Sequence, residues 1–268
     1  MENKKVLVLL SSYNGEKYID AQIKSILNQK TNHTVNLLIR DDGSSDNTIA
    51  IINKYIQEYP NRIELIKGEN IGYIKSFFEL IKVADNYDYY ALSDQDDVWL
   101  ENKIDVGIQY LMKEDNSIPL LYGSTSYLVG DDLKPYGKTQ EQLKEITFYN
   151  TIIQNFFPGH NQIMNQKLLD ELKKEIDYSK IYVHDSWITN VAMLCGKLIF
   201  NNDSFTYYRQ HQENEIGFGK GTLGWIKERL KRIKKSDNKK YANQINYFFH
   251  IYKEKMSSNQ YKEINKFI

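Results

Sequence analysis

Three carboxylates crowd one short stretch of this chain, Ser93-Asp94-Gln95-Asp96-Asp97. The stretch follows an aromatic and apolar run, Tyr89-Tyr90-Ala91-Leu92, so the acids stand where a buried strand leaves a sheet. Like charges this close repel unless a cation sits among them. Hard oxygen donors suit Mg²⁺ or Mn²⁺, and such an ion can bridge the oxygens of a diphosphate. Taken alone, the same residues also read as a solvated acidic turn.

Other clusters add to the first. In Val183-His184-Asp185-Ser186-Trp187, Asp185 precedes an apolar stretch at helical spacing. It is either a helix cap or a general base for an attacking hydroxyl. In Tyr207-Tyr208-Arg209-Gln210-His211, His211 can ligate a metal through a ring nitrogen, or Arg209 can grip phosphate with two parallel hydrogen bonds. Tyr13 offers an aromatic face to a base, with an ordinary turn residue as the alternative. Asp42 can accept from a pyrimidine imide or a ribose, with helix capping as its alternative. Asp94 and Asp96 can hold ribose and metal.

The elements that must position these residues are legible. Val6–Leu10 is a continuous apolar run, as expected of a strand covered on both faces. Ile19, Ile23, Ile26 and Leu27 recur at helical spacing. Val35–Ile39 is a second strand, Ile49–Ile56 a second helix and Ile63–Ile66 a third strand. Ile74–Val83 is a third helix and Tyr89–Leu92 a fourth strand. Such alternation implies an α/β fold, a mostly parallel sheet with helices on both faces. Ligands bind beyond the carboxyl ends of such strands, where strand order reverses. The polar clusters after strands one, two and four are therefore expected to share one crevice.

Beyond residue 100 the pattern is mixed. A helix is expected at Ile104–Leu111, a strand at Leu120–Val129 and a turn at Phe157–His160 leading to a helix over Lys167–Ile176. A further helix is expected at Asp185–Cys195, with Gly196 as its cap. Short strands are expected at Lys197–Phe200 and Phe205–Tyr208. Leu223, Ile226, Leu230 and Ile233 lie among basic residues as an amphipathic cationic helix, and Tyr241–Met256 is a second helix.

Composition bounds the rest. The 268 residues carry no net charge, yet from Lys220 onward 13 Lys and Arg face 4 Asp and Glu. A basic end of this kind suits an anionic partner, or is simply a solvated face. Cys195 is the single cysteine, so no intrachain disulfide forms and a reducing compartment is expected. Met1–Lys5 leads into too short an apolar run for a secretory leader, and no stretch of about 18 apolar residues spans a membrane. The expected location is cytoplasmic, with peripheral attachment to the inner face of the cell membrane as an extension.

These motifs, in this order, resemble family 2 glycosyltransferases of the GT-A fold. Within that family the chain is most similar to bacterial rhamnosyltransferase-like enzymes of surface-polysaccharide assembly. The resemblance rests on Ser11–Ile19 (SSYNGEKYI), Arg40–Thr48 (RDDGSSDNT), Glu69–Phe77 (ENIGYIKSF), Ser93–Trp99 (SDQDDVW), His184–Trp187 (HDSW) and Tyr208–His211 (YRQH). It implies a glycosyltransferase domain over residues 1–215, with a nucleotide-binding half (1–100) and an acceptor-binding half (101–215), then a basic helical tail over 216–268. It implies nucleotide contacts at Ser11, Tyr13, Asn14, Glu16, Asp42, Asn70, Lys75 and Asp94. It implies Mn²⁺ or Mg²⁺ at Asp96 and His211, and Asp185 as the base. Asp97, Trp99, Gly159, His160 and Trp187 fall on the acceptor side.

The activity so implied is inverting, metal-dependent transfer of one sugar from a nucleoside-diphosphate sugar, foremost dTDP-L-rhamnose. The acceptor is a glycan or a polyprenyl-diphosphate-linked glycan at an anionic membrane surface, and no nucleic acid is involved. The Gln-x-x-Arg-Trp motif of processive synthases is absent, which fits one sugar per encounter. A UDP-hexose donor is the nearest alternative. A nucleotidyltransferase would open with a Gly-rich basic loop, but Ser11–Lys17 has one Gly. A non-catalytic carbohydrate-binding protein would not need the acidic motif or Asp185.

Overall fold

The computed structural model describes residues 2–139, 146–174, 176–211 and 237–265. Its first half alternates as the apolar runs require: β1 (Lys5–Ser12), α1 (Ile19–Leu27), β2 (Thr34–Asp41), α2 (Thr48–Glu58), β3 (Ile63–Lys67), α3 (Tyr73–Val83) and β4 (Tyr89–Ser93). Then come β5 (Val98–Trp99), α4 (Lys103–Leu111), β6 (Leu120–Val129), β7 (Pro135–Lys138), α5 (Phe148–Ile153), β8 (Ile163–Asn165), α6 (Gln166–Leu172), α7 (His184–Cys195) and β9 (Lys197–Arg209). Two helices, α8 (Asp237–Tyr252) and α9 (Ser258–Ile264), follow.

One sheet in the order β3-β2-β1-β4-β8-β6-β9-β5 organises the molecule, with β7 added beside β6. The strands β3, β2, β1 and β4 are parallel, whereas β8 joins β4 and β6 antiparallel. Strand order reverses at β1, between β2 and β4, which opens a crevice at their carboxyl ends.

Alternation along β1 splits the core in two. Val6, Val8 and Leu10 join a cluster with Ile19, Ile23 and Ile26 of α1, Ile52 of α2 and Ile104 and Ile108 of α4. Leu7 and Leu9 face the other way, toward Phe77 and Phe78 of α3, Leu168 of α6 and Trp187 of α7. Side chains two apart share a face, so a strand buried on both sides is apolar throughout. Each such buried side chain contributes about 1.5–3 kcal/mol.

The structure departs from the sequence reading at four places. The turn at Phe157–His160 leads first into a 3-10 turn, Gly159–Asn161, and then into β8 before α6 begins. Helix α6 ends at Leu172, short of Ile176. The two short strands expected near residues 197–208 are one strand, β9, whose pairing with β6 shifts register around Thr125. The last long helix starts at Asp237 rather than Tyr241.

The end of the chain is also more than an appended tail. Phe248, Tyr252 and Ile264 are buried in the same cluster as Trp187 and Phe77. Gln244 Oε1 accepts from the N–H groups of Tyr182 and Val183, both at 2.8 Å, at the entrance to α7. The amphipathic stretch Leu223–Ile233 lies outside the described residues. Among the described residues no helix is long and apolar enough to cross a membrane.

Candidate active site

The loop after β1 and the acidic turn after β4 are locked together by Gln95. Its Oε1 accepts from Tyr13 N–H (2.9 Å) and its Nε2 donates to Tyr13 C=O (3.0 Å). A β-carbon on Gly15 would lie 2.2 Å from Gln95 Oε1, so a larger residue there would push the Gln95 amide off Tyr13. Tyr13 itself stays 45% exposed, a free aromatic face at the crevice rim.

Several residues implied as nucleotide contacts serve instead, in this arrangement, as braces. Asn14 Oδ1 accepts from Ser45 N–H (2.8 Å), and Glu16 Oε2 accepts from Asn47 N–H (2.9 Å), which ties the first loop to the second. Ser11 is buried and its Oγ donates to Ser76 Oγ of α3 (2.7 Å). Asp42 is 1% exposed; it pairs with Arg40 and accepts from the N–H groups of Ile71 (3.0 Å) and Gly72 (2.8 Å). These bonds close the β3–α3 loop onto Asp42. Asn70 and Lys75 remain exposed on that loop and on the first turn of α3.

Asp94, Asp96 and Asp97 diverge. Asp94 is part-exposed, and its depth in the crevice, then the charges of Asp96 and Asp185, push its carboxyl up to about 7. Asp96 Oδ2 lies 2.8 Å from His211 Nε2, with both side chains only slightly exposed. Asp97 is fully buried; its Oδ1 accepts from Arg209 N–H (3.1 Å), and burial drives its carboxyl well above the usual range. No surface is left on Asp97 to meet an acceptor.

His211 is held in place by neighbours that short-range spacing does not announce. Its ring stacks on Tyr18 (4.8 Å between centroids). The Arg209 guanidinium covers the same tyrosine ring at 4.7 Å. Arg209 Nε donates to the Asp96 carbonyl (2.8 Å) and NH1 to the Asp131 carbonyl (2.9 Å). Arg209 is therefore a buried clamp on the acidic turn, not a free phosphate fork.

The opposite wall carries Asp185. Gly159 N–H donates to Asp185 Oδ2 (3.0 Å), and Ser186 N–H reaches Oδ1 (2.7 Å). The cap of α7 is Val183, which uses no side chain, so Asp185 is a first-turn residue and not the cap. An ionised carboxylate has about four acceptor positions, and two backbone donors leave room for a proton.

The remaining acceptor-side assignments are corrected by burial. Trp187 is wholly buried, stacked on Tyr247 and edge-on to Phe248. Trp99 is buried beneath Lys103, whose Nζ lies 4.1 Å from the ring centroid. His160 is also buried; its Nε2 meets Ser126 Oγ at 2.9 Å and its ring stacks on Tyr208. Burial and the Lys103 charge keep that imidazole neutral. Gly159 is buried as well, and reaches the site through its backbone N–H.

Carboxylate and imidazole donors crowded at one crevice suit a hard divalent cation. Asp94, Asp97 and His160 bring donor atoms within 4.8 Å of one another, but two of these three are closed off from solvent. Asp96 and His211 are already in contact and each keeps some exposure, so the pair can offer donor atoms to an ion.

The family model described as Glycosyl transferase family 2 matches residues 7–173, from β1 to the end of α6. The chain belongs to glycosyl transferase family 2. The dTDP-rhamnosyl transferase RfbG of Shigella flexneri is 30% identical to this glycosyltransferase over 250 residues, which cover 88% of this chain and 82% of that one. The UDP-Glc:alpha-D-GlcNAc-diphosphoundecaprenol beta-1,3-glucosyltransferase WfgD of Escherichia coli is 32% identical over 151 residues, 53% of this chain and 56% of that one.

Among solved structures, S. aureus TarS 1-349 in complex with UDP-GlcNAc aligns with a TM-score of 0.59 at 17% identity, covering 93% of this chain and 73% of that one. The mannosyltransferase PcManGT from Pyrobaculum calidifontis, in complex with GDP-Man and Mn²⁺, aligns with a TM-score of 0.60 at 15% identity, covering 92% and 64%. At these identities the likeness speaks for the fold, which is GT-A.

Proposed function

We propose that this family 2 glycosyltransferase transfers one sugar, with inversion, from a nucleoside-diphosphate sugar to a hydroxyl of a glycan or lipid-linked glycan. The donor proposed is dTDP-L-rhamnose, and the pathway is bacterial surface-polysaccharide synthesis. The observation that carries the chemistry is the Gly159–His160 pair that lies between Asp185 and the acidic turn: Gly159 N–H donates to Asp185 Oδ2 (3.0 Å) and His160 Nδ1 lies 3.9 Å from Asp94 Oδ2. The dTDP-rhamnosyl transferase relative, alike over most of both chains, supports the donor.

In this reading the exposed Tyr13 ring stacks on the base, and Asn70 and Lys75 line the diphosphate side. Asp96 and His211 would hold Mn²⁺ or Mg²⁺, which offsets negative charge on a departing nucleoside diphosphate. Asp185 accepts the proton of the acceptor hydroxyl as its oxygen bonds to the anomeric carbon and the bond to the diphosphate oxygen breaks. A single displacement inverts that centre and needs no second carboxylate as nucleophile. The acceptor sits at an anionic membrane surface.

Thermal shift with dTDP-rhamnose, UDP-glucose and UDP-galactose, each with Mn²⁺, followed by nucleoside diphosphate release, tests the donor. A ligand at a hundred times its Kd adds about 2.7 kcal/mol of stability. Stabilisation and turnover with dTDP-rhamnose alone are expected. Turnover with a UDP-hexose instead would favour the second reading, for which the WfgD likeness speaks. No nucleoside diphosphate release from any donor would leave a non-catalytic carbohydrate-binding role.

A further inference from the structure

Lys103 opens α4, a few residues after the acidic turn, yet it is only 1% exposed and among the largest fully buried side chains. Burying an ammonium is costly unless its donors are satisfied and its charge is offset. The Lys103 Nζ donates to the His160 carbonyl and to Thr206 Oγ1 (2.8 Å), and lies 3.5 Å from Asn161 Oδ1. All three are neutral acceptors. Burial pulls the lysine down to about 7, and Asp97 and Asp94 oppose that pull.

Those acceptors are not scattered. His160 and Asn161 belong to the 3-10 turn Gly159–Asn161, and Thr206 belongs to β9, which pairs with β5 just behind the acidic turn. Thr206 Oγ1 in turn donates to Asn161 Oδ1 (2.9 Å). Asn161 Nδ2 donates to the Ser124 carbonyl (2.8 Å) and to Ser126 Oγ (2.6 Å), and Ser126 Oγ meets His160 Nε2. The first residue of this same turn, Gly159, gives its N–H to Asp185. One Nζ therefore ties down the turn whose first residue gives its N–H to Asp185.

We propose that Lys103 is a positioning residue of the transfer reaction: it pins the Gly159–Asn161 turn against β9 and so aims Asp185 at the acidic side of the crevice. This rests on Asp185 acting as the base in the function proposed above. Lys103 touches no substrate, so its loss should appear in kcat and not in nucleotide affinity. A lysine that merely filled the core would affect melting and leave the turnover number of the folded enzyme alone.

The test uses Lys103→Met, which keeps the stem without charge or donors, and Lys103→Gln, which keeps a neutral donor. Each is compared with the wild type in melting temperature, in binding of dTDP with Mn²⁺, and in kcat and donor KM. Misplacing a catalytic group by about 1 Å costs about 10²-fold in rate. A fall of about that size in kcat is expected, with cooperative melting and dTDP affinity retained. A folded variant that keeps wild-type kcat overturns the proposal, as does a kcat loss matched by an equal loss of dTDP affinity. Should Lys103→Met fail to melt cooperatively, Lys103→Gln decides. A wild-type protein that releases no nucleoside diphosphate from any donor would instead refute the functional reading itself.

Discussion

Replacing Asp185 by Asn separates a base from a structural acceptor. Asp185 now accepts from two backbone donors, Gly159 N–H at 3.0 Å and Ser186 N–H at 2.7 Å. An Asn amide can serve only one of them, and whichever way it turns, the other N–H faces an NH₂ group. A buried donor left unsatisfied costs about 1–3 kcal/mol. Losing a negative charge in the first turn of α7 adds about 0.3–1 kcal/mol. A domain with a stability of about 5–15 kcal/mol survives that loss, so Asp185→Asn should fold with a lowered melting temperature. Its turnover should fall much further, because an amide cannot take the proton and a positioned base contributes about 10²–10⁴-fold. At about 1.4 kcal/mol per decade, the barrier rises by about 3–5 kcal/mol. The assay is initial-rate release of nucleoside diphosphate with acceptor at saturating donor, beside melting with and without nucleotide. A variant that melts lower but keeps its turnover number would show that Asp185 only secures the turn. The base would then be sought at Asp94, which is 38% exposed, because Asp97 at 0% and His160 at 3% have no surface to offer.

Asp96→Ala and His211→Ala should each abolish the metal-dependent part of turnover and the Mn²⁺-linked gain in melting temperature on adding dTDP; full activity in EDTA would defeat the metal assignment. Tyr13→Ala should weaken donor binding by about 1–3 kcal/mol while Tyr13→Phe is nearly silent, and equal losses in both would assign the contact to the hydroxyl. Truncation at residue 236 should lower stability sharply, since Phe248 and Tyr252 are each worth about 1.5–3 kcal/mol in the core, and an unchanged melting temperature would contradict the packing. Exchanging Lys227, Arg229, Lys231 and Arg232 for Gln should reduce binding to anionic vesicles; undiminished vesicle binding would remove the membrane role of that segment.

The parts of the fold that declared themselves were those whose burial is periodic along the chain. β1, β2 and β4 are covered on both faces, so their apolar runs are unbroken, and α1 to α4 show one apolar face each. What stayed hidden was held by distant partners. Gln95 clasps Tyr13 from 82 positions away, Lys103 reaches His160 over 57, and Arg209 meets Asp97 over 112. None of these partners lies near in the chain, so local sequence gives no sign of the clasp, of the burial of Lys103 or of the backbone link to Asp97. β9 was hidden for another reason. Asn201-Asn202-Asp203-Ser204 reads as a turn, and the sheet carries it as a register shift opposite Thr125. The acidic motif was legible as a cluster, but not which of its members is closed off from solvent.

Helix geometry explains why Trp187, two residues beyond Asp185, is turned away from the crevice. At 3.6 residues per turn, positions two apart point about 200° away from each other. With Asp185 turned to Gly159 and the crevice, Trp187 must turn to the far side of α7, where Tyr247 and Phe248 of α8 enclose it. The same short motif thus presents Asp185 on one face and an anchor, Trp187, on the other. Helix α8 adds Gln244 at the two N–H groups just ahead of α7 and Tyr241 at Ser186 Oγ, at 2.8 Å. Asp185 and its turn of α7 are therefore held from both sides, by the Gly159 turn in front and by α8 behind. A boundary placed at residue 215 by the extent of the family resemblance therefore separates residues that packing unites.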